Sequence, residues 1–135
     1  MSRRTQNILF ACAALVLGCV LYVCFRGSTY VAMLIRRILP AEQLCRFVQP
    51  YGNAFLSFYL PDLLWAFSFC CLLNSIYVPG MKGTVACGGA AFLAGAIWEI
   101  FQYTGLVTGT GDVLDMLAYL LAALLSTTIN LGGKT

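Results

Sequence analysis

The sequence predicts an all-α integral membrane protein, a bundle of four transmembrane helices with a short interfacial amphipathic helix between spans one and two. Three observations lead to this fold class. Apolar residues make up 61% of the 135 residues and charged residues only 10%, whereas soluble domains carry about 25% charged residues. The apolar residues fall into four runs, each close to the length that crosses a ~30 Å hydrocarbon core. Proline, glycine and charged residues separate the runs, and the length fits a single domain over residues 1–135.

The first predicted span covers residues 8–25 and ends at Arg26 and Gly27. Arg3 and Arg4, followed by an apolar run, resemble the start of a signal peptide. No small-residue cleavage site leads from this run into a soluble domain, so we expect an uncleaved first span.

Residues 28–39 are too short to cross a bilayer and predict an interfacial helix that Pro40 ends. A helical projection separates its two faces. One face carries Ser28, Thr29, Ala32 and Arg36, and the other carries Tyr30, Val31, Leu34 and Ile38. This pattern is typical of a helix that lies in the headgroup layer of a membrane. A connector is expected from there to residue 60.

The remaining spans are predicted at residues 61–78, 84–103 and 112–130. Pro61 and Asp62 are residues that a first helical turn favours. Pro79 and Gly80 predict the turn between spans two and three. Residues 104–111 form a short, uncharged, glycine-rich loop between spans three and four.

Small residues recur at four-residue intervals along the third span and lead to an acid, in the order Cys87, Ala91, Gly95 and Glu99. A stripe of small residues permits close approach of a second helix. We therefore expect Glu99 to face the bundle rather than lipid. The stripe of Cys87, Ala91 and Gly95 would also serve as the seam of a homodimer, and that alternative stays open.

Polar residues of the fourth span share one face of the predicted helix. At 100° per residue they fall within an arc of about 60°. They are Asp112, Asp115, Tyr119, Ser126 and Asn130. A polar stripe on a membrane helix faces protein or water rather than lipid.

Antiparallel packing of the four spans places every carboxylate of the chain on one side of the membrane: Glu42, Asp62, Glu99, Asp112 and Asp115. An ionised group at the centre of a span costs about 2.5–3.5 kcal/mol, so a cluster of acids indicates a site. Asp62 and Asp112 also have a simpler explanation, since acids in a first turn complement the helix dipole. Glu99 lies near a helix C-terminus, where the dipole disfavours it. It therefore needs an arginine, a hydrogen bond from Gln102 or Tyr119, a proton or a bound cation.

The predicted binding site combines these acids with arginines and aromatic residues on the same side. Arginine suits phosphate or carboxylate groups, and tryptophan suits headgroup depth. The predicted partners are membrane lipids or lipid-linked envelope components. The predicted binding residues are Glu99, Gln102, Asp112, Asp115, Asp62, Tyr119, Arg36, Arg37 and Trp65.

The composition argues against several functions. The chain has no histidine, which removes the commonest general base and the commonest metal ligand. None of its seven cysteines forms a CxxC pair, so they are interpreted as small hydrophobic residues within helices. The net charge of +3 without a dense basic run argues against a nucleic-acid partner. We predict no cofactor and no metal site, with a divalent cation on paired carboxylates as an alternative.

The orientation is predicted from the N-terminal tail, because lysine and arginine are divided evenly between the two sides. The short tail with Arg3 and Arg4 favours a cytoplasmic N-terminus. Four spans then return the C-terminus to the cytoplasm and put the acids on the outer face.

The chain over residues 59–131 resembles the VanZ-like family of small bacterial membrane proteins. The likeness rests on two motifs separated by a short loop, Glu99-Ile-Phe-Gln102 and Asp112-Val-Leu-Asp115. The segment that begins at Pro61-Asp62 and includes Trp65, Ala66 and Phe67 is similar to an earlier block of the family.

The chain departs from the family at three positions. Trp65 or Ala66 stands where the family has histidine, Tyr119 stands where asparagine is common, and residues 108–111 lack the loop arginine. The resemblance implies a single VanZ-like domain in a bacterial cytoplasmic membrane and a role in the cell envelope. The family's namesake is linked to reduced susceptibility to the glycopeptide antibiotic teicoplanin.

Three functions and one structural explanation follow as hypotheses. The first is an envelope protein with an outward acidic and aromatic pocket for a polar headgroup. The second is an enzyme that acts on a lipid-linked substrate with paired carboxylates and a divalent cation. The third is a small lipid or ion transporter that acts as an oligomer and whose transport path follows the polar stripe. The structural explanation is that the polar residues only join helices, and it requires them to be buried and hydrogen-bonded.

Overall fold

The computed structural model describes residues 1–27, 30–77 and 80–132, except the side chains of residues 30 and 31. All regular structure in these ranges is helical, which confirms the predicted fold class. The helices are α1 (Arg3–Phe25), α2 (Tyr30–Ile38), α3 (Glu42–Val48), α4 (Leu60–Ile76), α5 (Met81–Tyr103) and α6 (Val113–Gly132). Four segments are long and apolar enough to cross a membrane: α1, Phe55–Ile76, α5 and α6.

The first span begins earlier than predicted, at Arg3 instead of residue 8. Ser2 explains the difference, because its hydroxyl accepts a hydrogen bond from the Thr5 backbone N–H at 3.2 Å. Such a cap satisfies one of the free N–H groups of the first turn. The polar residues before the apolar run therefore belong to α1.

The second span also begins upstream of its predicted start at residue 61. A π-helical turn at Phe55–Tyr59 runs directly into α4, and the Leu60 N–H bonds to the Phe55 carbonyl. Pro61 has no N–H to give to a normal helical turn, and the wider turn ahead of it keeps the chain helical. The span ends at Ile76 rather than at residue 78. The predicted turn at Pro79 lies outside the described residues, while Gly80 caps α5.

The connector between spans one and two is more ordered than predicted. It contains α3 and a 3-10 turn at Gln49–Tyr51, in addition to the expected interfacial helix α2. Ala32 of α2 is fully buried with Val23 and Cys45, while Leu34 and Ile38 are exposed. The face around Ala32 thus packs on the end of α1, and the opposite face has the exposure expected of a helix against lipid. Ser28, Thr29 and the side chains of residues 30 and 31 lie outside the described part.

The helix α4 lies at the centre of the bundle and packs on α1, α5 and α6. Ser68 on α4 donates a hydrogen bond to the Ala11 carbonyl on α1 at 2.9 Å. The contact between α5 and α6 is extensive, whereas that between α5 and α4 is smaller. This arrangement leaves a gap between α4 and α5 near the acidic end.

The small-residue stripe of α5 faces the interior, as predicted for its last member Glu99. Cys87, Ala91 and Gly95 are all buried within the chain. A Cβ atom at position 95 would collide with the Tyr119 ring of α6. The stripe therefore packs against the chain's own helices. The alternative of a homodimer through it stays a prediction.

Candidate binding site at the acidic end of the bundle

A cavity of about 620 Å³ opens at the end of the bundle where α1 ends and α6 begins. Its walls come from α1, the π-helical turn, α4, α5, the loop after α5 and α6. Six of the nine predicted binding residues line it, namely Asp62, Glu99, Gln102, Asp112, Asp115 and Tyr119, and Tyr22, Arg26, Phe58, Tyr59, Trp98, Thr108, Gly109 and Thr110 complete the lining. Four of the five acids that were predicted to lie together thus line one cavity. Glu42 is exposed on α3 and is not part of this lining.

Glu99 is only 5% exposed, and both of its carboxylate oxygens accept hydrogen bonds. The Tyr119 hydroxyl donates to Oε1 at 2.9 Å, and the Asp112 backbone N–H donates to Oε2 at 3.0 Å. These two bonds offset the unfavourable position near the C-terminus of α5. Glu99 therefore holds α6 and its preceding loop against α5, and organises the cavity.

Glycines make this arrangement possible. Gly95 leaves room for the Tyr119 ring, and the tight approach of the loop to α5 requires Gly111, where a Cβ would lie 2.7 Å from the Glu99 carbonyl oxygen. Gly109 has a φ of +143° and lies against the Gln102 side chain. A side chain at position 109 would be strained in that conformation. Gln102 is thereby held at the cavity wall.

Asp112 acts as a helix cap. Its Oδ1 accepts a hydrogen bond from the Leu114 N–H at 2.9 Å, at the first turn of α6. This geometry supports the simpler explanation for an acid at a helix start. Asp112 still lines the cavity, so its charge contributes to the field there.

Asp115 differs from Glu99 and Asp112 in its hydrogen bonding. It is 9% exposed and its Oδ1 is buried without a hydrogen-bond partner. Burying a polar atom without a partner is costly, and for a charged group the cost rises further. Asp115 lies one turn inside α6 and forms part of the cavity wall. It is therefore the lining acid with the clearest unmet need for a donor.

Among the described residues, the basic one in the lining is Arg26, which was not among the predicted binding residues. Its guanidinium lies over the Tyr22 ring at 5.6 Å and over the Phe58 ring at 5.4 Å, which is cation–π distance. The signal in the sequence was its place directly after the apolar run of span one. That position puts it at the depth of the acids, next to aromatic residues of the following span.

Two predicted arginines lie elsewhere, and their assignment to the pocket is corrected. Arg36 donates to the Val23 carbonyl at 2.7 Å and packs against Gly27, so it closes the junction between α1 and α2. Arg37 is exposed on α2, and neither arginine is among the residues that line the cavity. The cause is the path of α2, which packs on the end of α1 instead of reaching over α5 and α6.

A second cavity of about 340 Å³ lies beside the first, between α4 and α5. Trp65 lines this lateral cavity and not the acidic one, together with Ala94 and Gly95. Asp62, Trp98 and Tyr119 line both cavities. Polar space at the bundle end therefore adjoins mostly apolar space on the side of the bundle.

The described lining offers carboxylates, hydroxyls, an amide and one guanidinium, which can bind a polar ligand through hydrogen bonds and charge. Among residues 1–27, 30–77 and 80–132, no three His, Cys, Asp or Glu side chains lie close enough together to hold a metal ion. Calcium takes 6–8 oxygen ligands. The described His, Cys, Asp and Glu side chains do not supply even three of them at one point, so a divalent cation would need other ligands.

These observations define the class of the protein: a multi-pass helical membrane protein with a polar cavity at one end of its bundle. Comparison of the chain with protein-family models, curated proteins and solved structures finds no match in any of the three.

Proposed function

We propose that the protein is a cell-envelope membrane protein whose acidic cavity binds the polar headgroup of a membrane lipid or lipid-linked envelope component. The observation that carries the proposal is the pair of adjoining cavities, which share Asp62, Trp98 and Tyr119. A lipid needs polar partners for its headgroup and apolar surface for its tail. The acidic cavity and the lateral cavity between α4 and α5 offer these on adjoining walls.

The proposal includes an orientation and a location. Both termini would lie in the cytoplasm of a bacterium, and the cavity would face outward from the cytoplasmic membrane. The short N-terminal tail with Arg3 and Arg4 supports this orientation, and the remaining lysines and arginines do not decide it because they are divided between the two ends. The end of the bundle that carries Arg3 and Arg4 is opposite to the acids.

The proposal extends to a relation with the VanZ-like family and an effect on teicoplanin-type glycopeptide susceptibility. Its support is that Glu99, Gln102, Asp112 and Asp115, the residues of the two shared motifs, line one cavity. A protein that holds an envelope lipid at the outer face would alter what such an antibiotic meets there.

Cysteine accessibility tests the orientation. Thr110 is exposed at the cavity, and Lys82 is exposed at the start of α5 at the other end. Each would be replaced by a single cysteine in a cysteine-depleted chain that retains its helical content. In intact cells a membrane-impermeant maleimide should label T110C and not K82C. Labelling of K82C alone would invert the orientation.

Protection from the same reagent tests the binding. The purified T110C protein in detergent micelles would be titrated with phosphatidylethanolamine, phosphatidylglycerol and a polyprenyl phosphate. At least one of these lipids should slow labelling of T110C while K82C reacts at an unchanged rate. If all three leave labelling of T110C unchanged, the headgroup-binding proposal fails.

A further inference from the structure

We infer that the headgroup bound in the acidic cavity carries an ammonium group, as in an aminoalkyl phosphate ester. This inference rests on the proposed binding function and narrows it to one class of ligand. The first support is charge, because the described lining contains the acids Asp62, Glu99, Asp112 and Asp115 but only one base, Arg26. A purely anionic headgroup would meet four acidic side chains and one guanidinium, a balance that opposes its binding.

The second support is the unpartnered oxygen of Asp115. Glu99 has hydrogen bonds to both carboxylate oxygens, and Asp112 accepts one from the first turn of α6. Asp115 is more than nine-tenths buried and lines the cavity, yet its Oδ1 has no partner. An ammonium group supplies N–H donors and the opposite charge together, which is what this carboxylate lacks.

The third support is the aromatic part of the wall, where Tyr59 and Trp98 line the cavity in addition to the Tyr22 and Phe58 rings that the Arg26 guanidinium already contacts. Aromatic faces attract ammonium groups, and this holds for alkylated ammonium groups as well. A compact metal ion is less well served, because the described residues hold no cluster of three potential ligands. The wall therefore fits an organic cation better than a metal ion.

Arg26 gives the site a second charge preference. It stacks over Tyr22 and Phe58 at the cavity wall, where its guanidinium suits a phosphate oxygen. A zwitterionic headgroup would meet Asp115 with its ammonium group and Arg26 with its phosphate. The lateral cavity beside Trp65 would then receive the tail of a lipid.

Matched headgroups on identical acyl chains test the inference by protection of T110C from maleimide. Phosphatidylethanolamine and phosphatidylcholine carry an ammonium group, and phosphatidylglycerol does not. Phosphatidylethanolamine, whose ammonium group has N–H donors, should give half-maximal protection at a concentration at least about tenfold lower than phosphatidylglycerol. Phosphatidylcholine, whose quaternary ammonium group has the charge but no N–H donor, should fall between the two. Equal or stronger protection by phosphatidylglycerol would overturn the ammonium assignment while leaving headgroup binding intact. Protection by none of these three lipids would also overturn the ammonium assignment, and the proposed function would fail with it if polyprenyl phosphate gave no protection either.

Variants locate the effect. Asp115→Asn should remove most of the preference for the ammonium lipids, and Asp62→Asn provides a second lining variant should the first unfold. Glu42→Gln is the matched control, because Glu42 is an exposed acid on the same side and outside the lining. An equal loss in the control would mean that the membrane surface charge, and not the cavity, selects the lipid.

A soluble headgroup distinguishes a lipid from a free amine as the source of the ammonium group. Glycerophosphoethanolamine and glycerophosphoglycerol would be compared in the same assay. Protection by the first and not by the second supports ammonium recognition without a tail. Preference for the lipid over the soluble form assigns the lateral cavity to the tail. Protection of T110C by Mg²⁺ or Ca²⁺ alone, without any amine, would overturn the inference in favour of a cation site.

Discussion

The two ends of α6 carry the same stripe of polar residues but meet different surroundings. Toward the C-terminal end, the Asn130 side chain accepts a hydrogen bond from Asn7 and donates one to the Ser126 carbonyl, each at 2.8 Å. Arg3 donates to the Asn130 carbonyl oxygen at 2.8 Å. Toward the N-terminal end, Asp115 has an unpartnered oxygen beside a cavity. We call the first the closed end and the second the open end.

The difference shows that one polar stripe can contain both residues that join helices and residues that line a cavity. The closed end joins α1 to α6 in the way expected of polar contacts between membrane helices. Pairing there is incomplete, because Asn74 Oδ1 and Thr84 Oγ1 are buried without partners. The open end combines an organised carboxylate, Glu99, with an unsatisfied one, Asp115. The open end differs because its unpartnered oxygen belongs to a carboxylate that lines a cavity, and a purely structural role leaves that cavity unexplained.

The same comparison bears on the transporter hypothesis. A continuous polar path along α6 would have to pass Ser126 and Asn130, which are buried, and the Asn130 side chain is bonded to Asn7. These contacts would need to break for a substrate to pass. The geometry therefore favours binding at one end over conduction through the bundle.

The largest expected effect comes from Gly95→Ala, which tests the support of the open end. The added Cβ would collide with the Tyr119 ring, and overpacking of this kind costs about 1–3 kcal/mol of stability. Displacement of Tyr119 would also weaken its hydrogen bond to Glu99. Thermal unfolding in detergent, followed by circular dichroism, measures the loss.

Gly89→Ala is the matched control for that experiment. It lies on the same helix, and a Cβ there has no neighbour within 4 Å. Replacement of an unconstrained helical glycine by alanine stabilises by roughly 0.5–1 kcal/mol. If the two variants had the same unfolding temperature, the close packing of Gly95 on Tyr119 would be refuted.

A smaller effect of the opposite sign is expected for Asp115→Asn. This variant removes the charge of a buried carboxylate with an unpartnered oxygen, so we expect stability to stay equal or to rise. Stabilising substitutions commonly contribute about 0.5–2 kcal/mol, and at a destabilised functional site their recurrent cost is lost function. The measurements are thermal unfolding and lipid protection of T110C on the same sample. A clear loss of stability would place Asp115 with the closed-end residues instead.

The sequence predicted the direction in which side chains point better than it predicted their partners. The four-residue spacing that ends at Glu99 and the arc that contains Asp115 and Tyr119 both follow from helix geometry. Each of these residues is buried within the bundle. Tyr119 was one of several candidate partners that the sequence offered for the Glu99 carboxylate. The choice among them depends on the room that Gly95 leaves.

The partners on the connector could not be predicted from periodicity. Arg36 and Arg37 were placed at the site because they share its side of the membrane. The packing of Ala32 and Arg36 on the end of α1 turns α2 away from the cavity. Arg26 lines the cavity instead of the predicted Arg36 and Arg37. The upstream start of span two depends on a π-helical turn, which has no simple repeat in the sequence.

The smallest expected effect tests the closed end through the pair of Asn7 and Asn130. Replacing either asparagine by leucine should lower stability, because the other amide is left buried without its partner. The double replacement should cost less than the sum of the two. The coupling energy should be about 0.6 kcal/mol, the average for polar pairs between membrane helices.

Lipid protection of T110C should be unchanged in all three variants, because neither asparagine lines the acidic cavity. Additive losses would show that the 2.8 Å contact between the two amides does not join α1 to α6. Loss of lipid protection would show that the two ends of α6 act as one unit, and the division between a closed end and an open end would then fail.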